Sequence, residues 1–181
     1  LFQIDPANQS WWQWMKSLPQ VKGIPGLGQK PMDNGSSTIV THRDQQWTEL
    51  APGGWQAFPL PLDYPGQLHE LEIEVPDDKQ QTLGISIIEL SGSGKVIPFG
   101  IDSGIDIPST RWIRQFEPQH HRLVFWPRTE GPLLMLTNNQ ADKPAIFGKI
   151  TLRHREGGWS PSPAPQGGRR VVAYYDKPLF P

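Results

Sequence analysis

An all-β protein, an antiparallel β-sandwich, is what this sequence predicts, and three observations carry the expectation. Short apolar or alternating runs recur along the chain, each bounded by turn residues. The 20 Pro and 18 Gly are spread through all 181 residues, above ordinary usage of about 5% and 7%, as many short strands joined by tight turns require. The block Arg122–Leu152 then reads as three successive strands: Leu123–Trp126, the wholly apolar Leu133–Leu136, and Ala145–Leu152. An apolar run of four between turn signals suits a strand buried on both faces.

Asp5–Leu18 reads as the one short N-terminal helix. Asp5 can cap it, and Pro6 suits a first helical position because its missing N–H would be unpaired anyway. Ala7, Trp11, Trp14, Met15 and Leu18 fall on one face, and Pro19 ends the run. That stripe packs on the sandwich or docks another domain; Trp12 points away from it. Val21–Ser37 is a Gly/Pro-studded loop with the turn dipeptide Asn34-Gly35.

Strands are expected at Thr38–His42, Gln46–Leu50 and Trp55–Leu60, the last two joined by Pro52-Gly53-Gly54. In His69–Val75, Leu71, Ile73 and Val75 point inward and Glu70, Glu72 and Glu74 form a solvated face. Thr82–Leu90 changes phase at Ile87-Ile88, as one bulged residue would make it do. Lys95–Ile101 and Trp112–Phe116 follow. After Arg155 the texture changes. Residues 1–156 read as the module, 157–168 as a Gly/Pro/Ser linker or long loop, and 169–181 as a final strand or the start of a next domain. Beginning on Leu1, the chain reads as a piece of a longer polypeptide, so any signal peptide would be out of view.

Composition excludes several functions. With no Cys, disulfides, thiolate metal sites and cysteine nucleophiles are absent together. A net charge of -1 lacks the basic excess of nucleic-acid binders. No apolar run approaches the roughly 18 residues of a membrane span.

Catalytic patterns fail on inspection. Ser91-Gly92-Ser93-Gly94-Lys95 lacks the Gly and Ser/Thr that complete a P-loop, and a strand follows it instead of a helix. There is no zinc-protease HExxH and no GxSxG elbow. His120 and His121 are adjacent, so in a strand they face opposite ways. Asp102 and Asp106, read as a loop around Gly104, offer hard oxygen ligands for a structural calcium, against the plainer reading of a turn.

Eight Trp leave binding open. An indole stacks on the C–H face of a sugar ring while carboxamides, carboxylates and guanidinium groups pair its hydroxyls. Trp55 with Gln56, Trp126 with Arg128, and the loop residues Asn138, Asn139 and Asp142 provide that profile, although strand tryptophans usually bury and turn chemistry alone explains the Asn/Asp loop. If recognition exists, the connections Pro127–Pro132 and Asn138–Pro144 are its expected seats.

Four segments carry a resemblance: Glu49–Trp55 (ELAPGGW), Gln81–Ile87 (QTLGISI), Phe99–Gly104 (FGIDSG), and Leu136–Asn138 through Phe147–Ile150. Spanning Trp47–Leu152, they resemble the galactose-binding-like β-jelly-roll accessory domains of family-10-like glycoside hydrolases from planctomycete-type bacteria. The resemblance implies a jelly roll in an extracellular or periplasmic enzyme, non-catalytic itself. Its partners would be a polysaccharide or oligosaccharide and an adjoining catalytic domain. A structural sandwich that packs on that domain and binds no glycan is the alternative. None of the four segments is a catalytic signature.

Overall fold

The computed structural model describes residues 1–8, 10–11, 13, 32–90, 96–110 and 116–156. Twelve strands occur among them: Phe2–Ile4 (β1), Met32–Asp33 (β2), Ser37–His42 (β3), Gln45–Leu50 (β4), Trp55–Pro59 (β5), His69–Val75 (β6), Gln81–Leu90 (β7), Val96–Ile107 (β8), Gln119–Phe125 (β9), Leu133–Thr137 (β10), Ala145–Phe147 (β11) and Ile150–His154 (β12). All pair antiparallel. They form a four-stranded sheet, β1-β12-β6-β9, a five-stranded sheet, β2-β5-β10-β7-β8, and a three-stranded sheet, β11-β4-β3.

One apolar core joins the sheets, which is the arrangement of a β-sandwich. From the four-stranded sheet come Leu71, Ile73, Val75, Ile150 and Leu152; the five-stranded sheet supplies Phe58, Leu83, Ile85, Leu134 and Leu136. In β6 Leu71, Ile73 and Val75 turn into the core, as the sequence predicts. The phase change in β7 is real, with a register shift between Ile87 and Glu89. Turn chemistry holds too: Gly35 and Gly53 take φ of 77° and 70°, a region that costs glycine nothing.

Several expectations are corrected. The segment expected as a helix from Pro6 opens as turns: Asp5 Oδ1 accepts from the Ala7 amide, and the Asn8 amide donates to the Asp5 carbonyl. Trp11 and Gln13 are helical, Ser10 is in a turn, and residues 9, 12 and 14–18, Trp12 among them, lie outside the described residues. Ala7 and Trp11 are buried, and Trp11 packs on Phe58 at 5.1 Å between ring centres. Ala145–Leu152 is two strands, broken at Gly148-Lys149, with β11 in the three-stranded sheet and β12 in the four-stranded one. The break lets Gly148 sit against Trp47, where a Cβ would lie 2.9 Å from the ring. In β10 only Leu134 and Leu136 are buried; Leu133 and Met135 are half-buried on the sheet's outer side.

Glu70 and Glu72 are not solvated. They are buried under cations from the flanking strands. Arg122 Nε donates to Glu72 at 2.6 Å, Arg153 bridges Glu70 and Glu72 at 3.3 Å each, Arg155 reaches Glu70 at 2.6 Å, and His120 lies 3.2 Å from Glu72. Burial alone would raise the Glu72 pKa, but hydrogen bonds from Arg122 and Arg153, with their charges, bring it below the ordinary carboxylate value. Apart from Phe116, the strand expected at Trp112–Phe116 lies outside the described residues, as do the segments 157–168 and 169–181.

Candidate functional site

The outer face of the five-stranded sheet holds the feature best suited to a ligand. Directly opposed residues of antiparallel strands point to the same face. Reading across β5, β10, β7 and β8, one row is Trp55, Thr137, Gly84 and Gly104. The next is Ala57, Met135 and Ser86, and beyond the first lie Thr82 and Asp106. With strands about 4.8 Å apart, the first row spans roughly 14 Å. A groove of about 650 Å³ runs over it, bordered by Thr82, Ser86, Met135, Thr137, Asn139 and Asp106 and floored by Gly84 and Gly104.

Two glycines facing each other in mid-strand weaken a sheet. The backbone does not require them, since neither has a positive φ. What they provide is space. A Cβ at Gly84 would collide with Thr137 Oγ1, and one at Gly104 would stand 3.1 Å from the Leu83 carbonyl oxygen. Their absence of side chains leaves a smooth floor beside the half-buried Trp55.

The rim is ordered. Gln140 Nε2 donates to Thr82 Oγ1 at 3.0 Å, and Thr82 Oγ1 donates to Asp106 Oδ1 at 3.1 Å. Among the described residues, Asp106 is the one charged side chain lining the groove, and no Lys, Arg or His lines it. Polar oxygen and amide groups beside an aromatic ring pair hydroxyls and stack C–H faces.

The expected site residues separate into distinct places. Trp55 belongs to the outer face next to the groove, and Asn139 lines it. Gln56, next in the strand, points the opposite way; it is 4% exposed, with Oε1 unpaired. Asn138 is 0% exposed and belongs to the scaffold. Its Nδ2 donates to the carbonyls of Leu50 (3.0 Å), Ala51 (3.2 Å) and Lys143 (2.8 Å), while Oδ1 accepts from the Gln140 amide at 3.1 Å. Asp142 is exposed in the same loop. Trp126, 57% exposed, and Arg128 follow β9 at the other end of the sandwich. There the Arg128 amide donates to Glu89 Oε1 at 2.6 Å, and the Gly66 amide donates to the Pro127 carbonyl.

The calcium expectation does not fit. Asp102 and Asp106 lie within β8, with Asp102 opposite Ser86 and Asp106 opposite Thr82. Four residues of strand put their Cα atoms roughly 13 Å apart, beyond the reach of one ion with ligands at about 2.4 Å. Among the described residues no cluster of three His, Asp or Glu side chains could hold a metal.

The groove was missed because its lining comes from β7, β8 and β10, and β10, which lies beside β7, is distant from it in sequence. The signal present was Gly84, isolated within a strand pattern, where close approach of something to the backbone is the usual reason; Gly104 was hidden because its segment reads as a loop.

No protein-family model matches the chain, and no curated protein matches its sequence. Solved structures do match. The module titled BiXyn10A CBM1 aligns over 85% of this chain and 97% of its own length, at 12% identity and a TM-score of 0.50. The enzymatically active domain of bacteriophage CBA120 tailspike protein 4 aligns over 62% of this chain with a TM-score of 0.45 and 16% identity. The CBM22-1–GH10 modules of Clostridium thermocellum xylanase 10B, complexed with xylohexaose, align over 66% with a TM-score of 0.46 and 12% identity. The chain spans 17% and 24% of the length of those last two. At such identities the match to the BiXyn10A module is a likeness of fold.

Proposed function

We propose that this chain is a non-catalytic carbohydrate-binding module with a jelly-roll-like sandwich. It recognises a neutral polysaccharide along the outer face of its five-stranded sheet. The observation that carries the reading is the row Trp55, Thr137, Gly84, Gly104: an aromatic ring beside a floor without side chains, rimmed by Thr82, Ser86, Asn139 and Asp106. A sugar ring stacks on Trp55, the chain runs over the glycines, and rim oxygens and amides pair its hydroxyls. Asp106 in the lining, with no cation beside it among the described residues, disfavours uronate or sulfated chains. The fold likeness to a module titled CBM1 supports this assignment. On the same reading, the module belongs to a larger secreted bacterial glycoside hydrolase, family-10-like. The 1–156 module would be followed by the linker at 157–168 and residues 169–181.

Affinity electrophoresis in gels containing neutral xylan, galactan or β-glucan tests the proposal. Retardation in at least one gel, reduced roughly tenfold in apparent affinity by Trp55→Ala and unchanged by Trp126→Ala, is expected. Uniform mobility across all three, or retardation indifferent to Trp55→Ala, would overturn it.

A second reading is favoured by exposed Trp126 and Val124, which lie on and after β9, away from the groove. The module would then pack on an adjoining catalytic domain. Deleting the module would lower that enzyme's thermal stability, and no gel would retard the isolated chain.

A further inference from the structure

A second cavity, about 310 Å³, lies where β6 begins and β12 ends. It is lined by Asp63, Tyr64, His154 and Glu156, with Leu62 and Leu152 at its apolar side. Its setting is separate from the groove. The segment 60–62 bonds to 130–132, before β10 starts, through Leu60 to the Pro132 carbonyl and Leu62 to the Glu130 carbonyl. Asn139 of the groove follows the other end of β10, a strand roughly 17 Å long for five residues.

Four rings form a column from this cavity into the core. Tyr64, 50% exposed, stacks on His154 at 4.6 Å and an interplanar angle of 26°. His154 lies 5.3 Å from His69, and His69 5.9 Å from Phe125 in the core. Hydrogen bonds lock the imidazoles. His154 Nε2 donates to Gln67 Oε1 at 2.6 Å, and His69 Nδ1 donates to the Gln67 carbonyl at 3.0 Å. The stack on His154 fixes the plane of Tyr64, and a fixed plane reduces the entropy lost when a ligand stacks on it.

We propose that this cavity is a second sugar site, taking a single pyranose ring, neutral or amine-bearing. The ring's C–H face packs against the Tyr64–His154 platform. Its hydroxyls donate to the carboxylates of Asp63 and Glu156, acceptors that make stronger hydrogen bonds than neutral groups do. The site depends on neither Trp55 nor the glycine floor and stands if the groove binds nothing.

Amide chemical-shift titration of the full chain tests it, using methyl β-D-xylopyranoside, methyl β-D-galactopyranoside and D-glucosamine as probes at millimolar concentration. Saturable shifts at residues 63, 64, 154 and 156 with at least one probe are expected. Tyr64→Ala weakens them roughly tenfold, Tyr64→Phe keeps them, and Trp55→Ala leaves them unchanged. Should Tyr64→Ala unfold, Tyr64→Leu makes the same comparison. No saturable shift at those residues with any probe, shifts indifferent to loss of the Tyr64 ring, or equal loss in Trp55→Ala would overturn the inference. A groove that fails instead shows no shift at residues 82–86 and 103–106.

Discussion

Replacing Asn138 with Ala removes the junction between β10 and the two loops beside it, and the size of the loss can be worked from its bonds. Two N–H groups of the carboxamide serve three carbonyls, those of Leu50, Ala51 and Lys143, and its oxygen accepts from the Gln140 amide. The side chain is fully buried, so water cannot take over these roles without opening the structure. At a net 0.5–1.5 kcal/mol for each bond, with a desolvation penalty for carbonyls left unpaired, Asn138→Ala costs about 3 kcal/mol. The backbone bonds Asn138 makes with Gly53 and Gly54 survive the change and bound the damage. Asn138→Asp should cost at least as much, because a carboxylate then faces carbonyl oxygens. Urea unfolding followed by tryptophan fluorescence measures the difference. At this chain length about 3 kcal/mol corresponds to roughly 6–12 °C in Tm. A loss below about 1 kcal/mol would refute the accounting. So would unaltered stability together with lost glycan retention, since it would move Asn138 from scaffold to ligand contact.

Other outcomes follow from local geometry. Asp78, 3% exposed, accepts from His42 Nε2 and from Arg43 Nε at 2.8 Å each; burial opposes its ionised form, yet these partners bring its pKa below the ordinary value. A depressed carboxylate stabilises the fold above its unfolded pKa of about 4 and loses that contribution as pH falls through the folded value. Acid titration of stability should therefore slope downward below about pH 4, and less steeply in Asp78→Asn or Glu72→Gln. Arg43 and Asp44 form the two-residue β3–β4 turn with φ of 51° and 62°; Asp44→Gly should raise stability by about 0.5–1 kcal/mol, read as a higher Tm. Gly148→Ala places a methyl 2.9 Å from the Trp47 ring and 3.2 Å from Glu74 Oε2, and Trp47 is too deeply buried to move aside. A loss of about 1–3 kcal/mol in the same unfolding assay is expected.

What was legible in the sequence was whatever a single strand decides. The inward set Leu71, Ile73 and Val75, the phase change at Ile87 and the turns at Gly35 and Gly53 depend on neighbours along the chain, and the structure agrees with them. Facing relations between strands were out of reach. The run Leu133–Leu136 looked buried on both faces because all four side chains are apolar, yet Leu133 and Met135 face outward, Met135 along the groove. Glu70 and Glu72 looked solvated because their cations arrive from Arg122, Arg153 and Arg155, some 50 to 85 residues later. Trp55 with Gln56 looked like one binding pair, although adjacent strand residues diverge. Thus the candidate groove emerged only with strand order, which places Gly84 opposite Gly104 and Thr137 opposite Trp55.

The last three strands among the described residues have a consequence for how the chain must come together. β10 lies between β5 and β7, β12 between β1 and β6, and β11 on β4, so residues 133–154 enter every sheet. During synthesis from the N-terminus, at roughly 5–20 residues per second, β1 waits for β12 through almost the entire module. Until β10 emerges, β5 and β7 each present an unpaired edge. Such edges are templates for wrong partners, and non-local closure of this sort slows folding. The segment that completes the groove also ends the chain's most aggregation-prone interval.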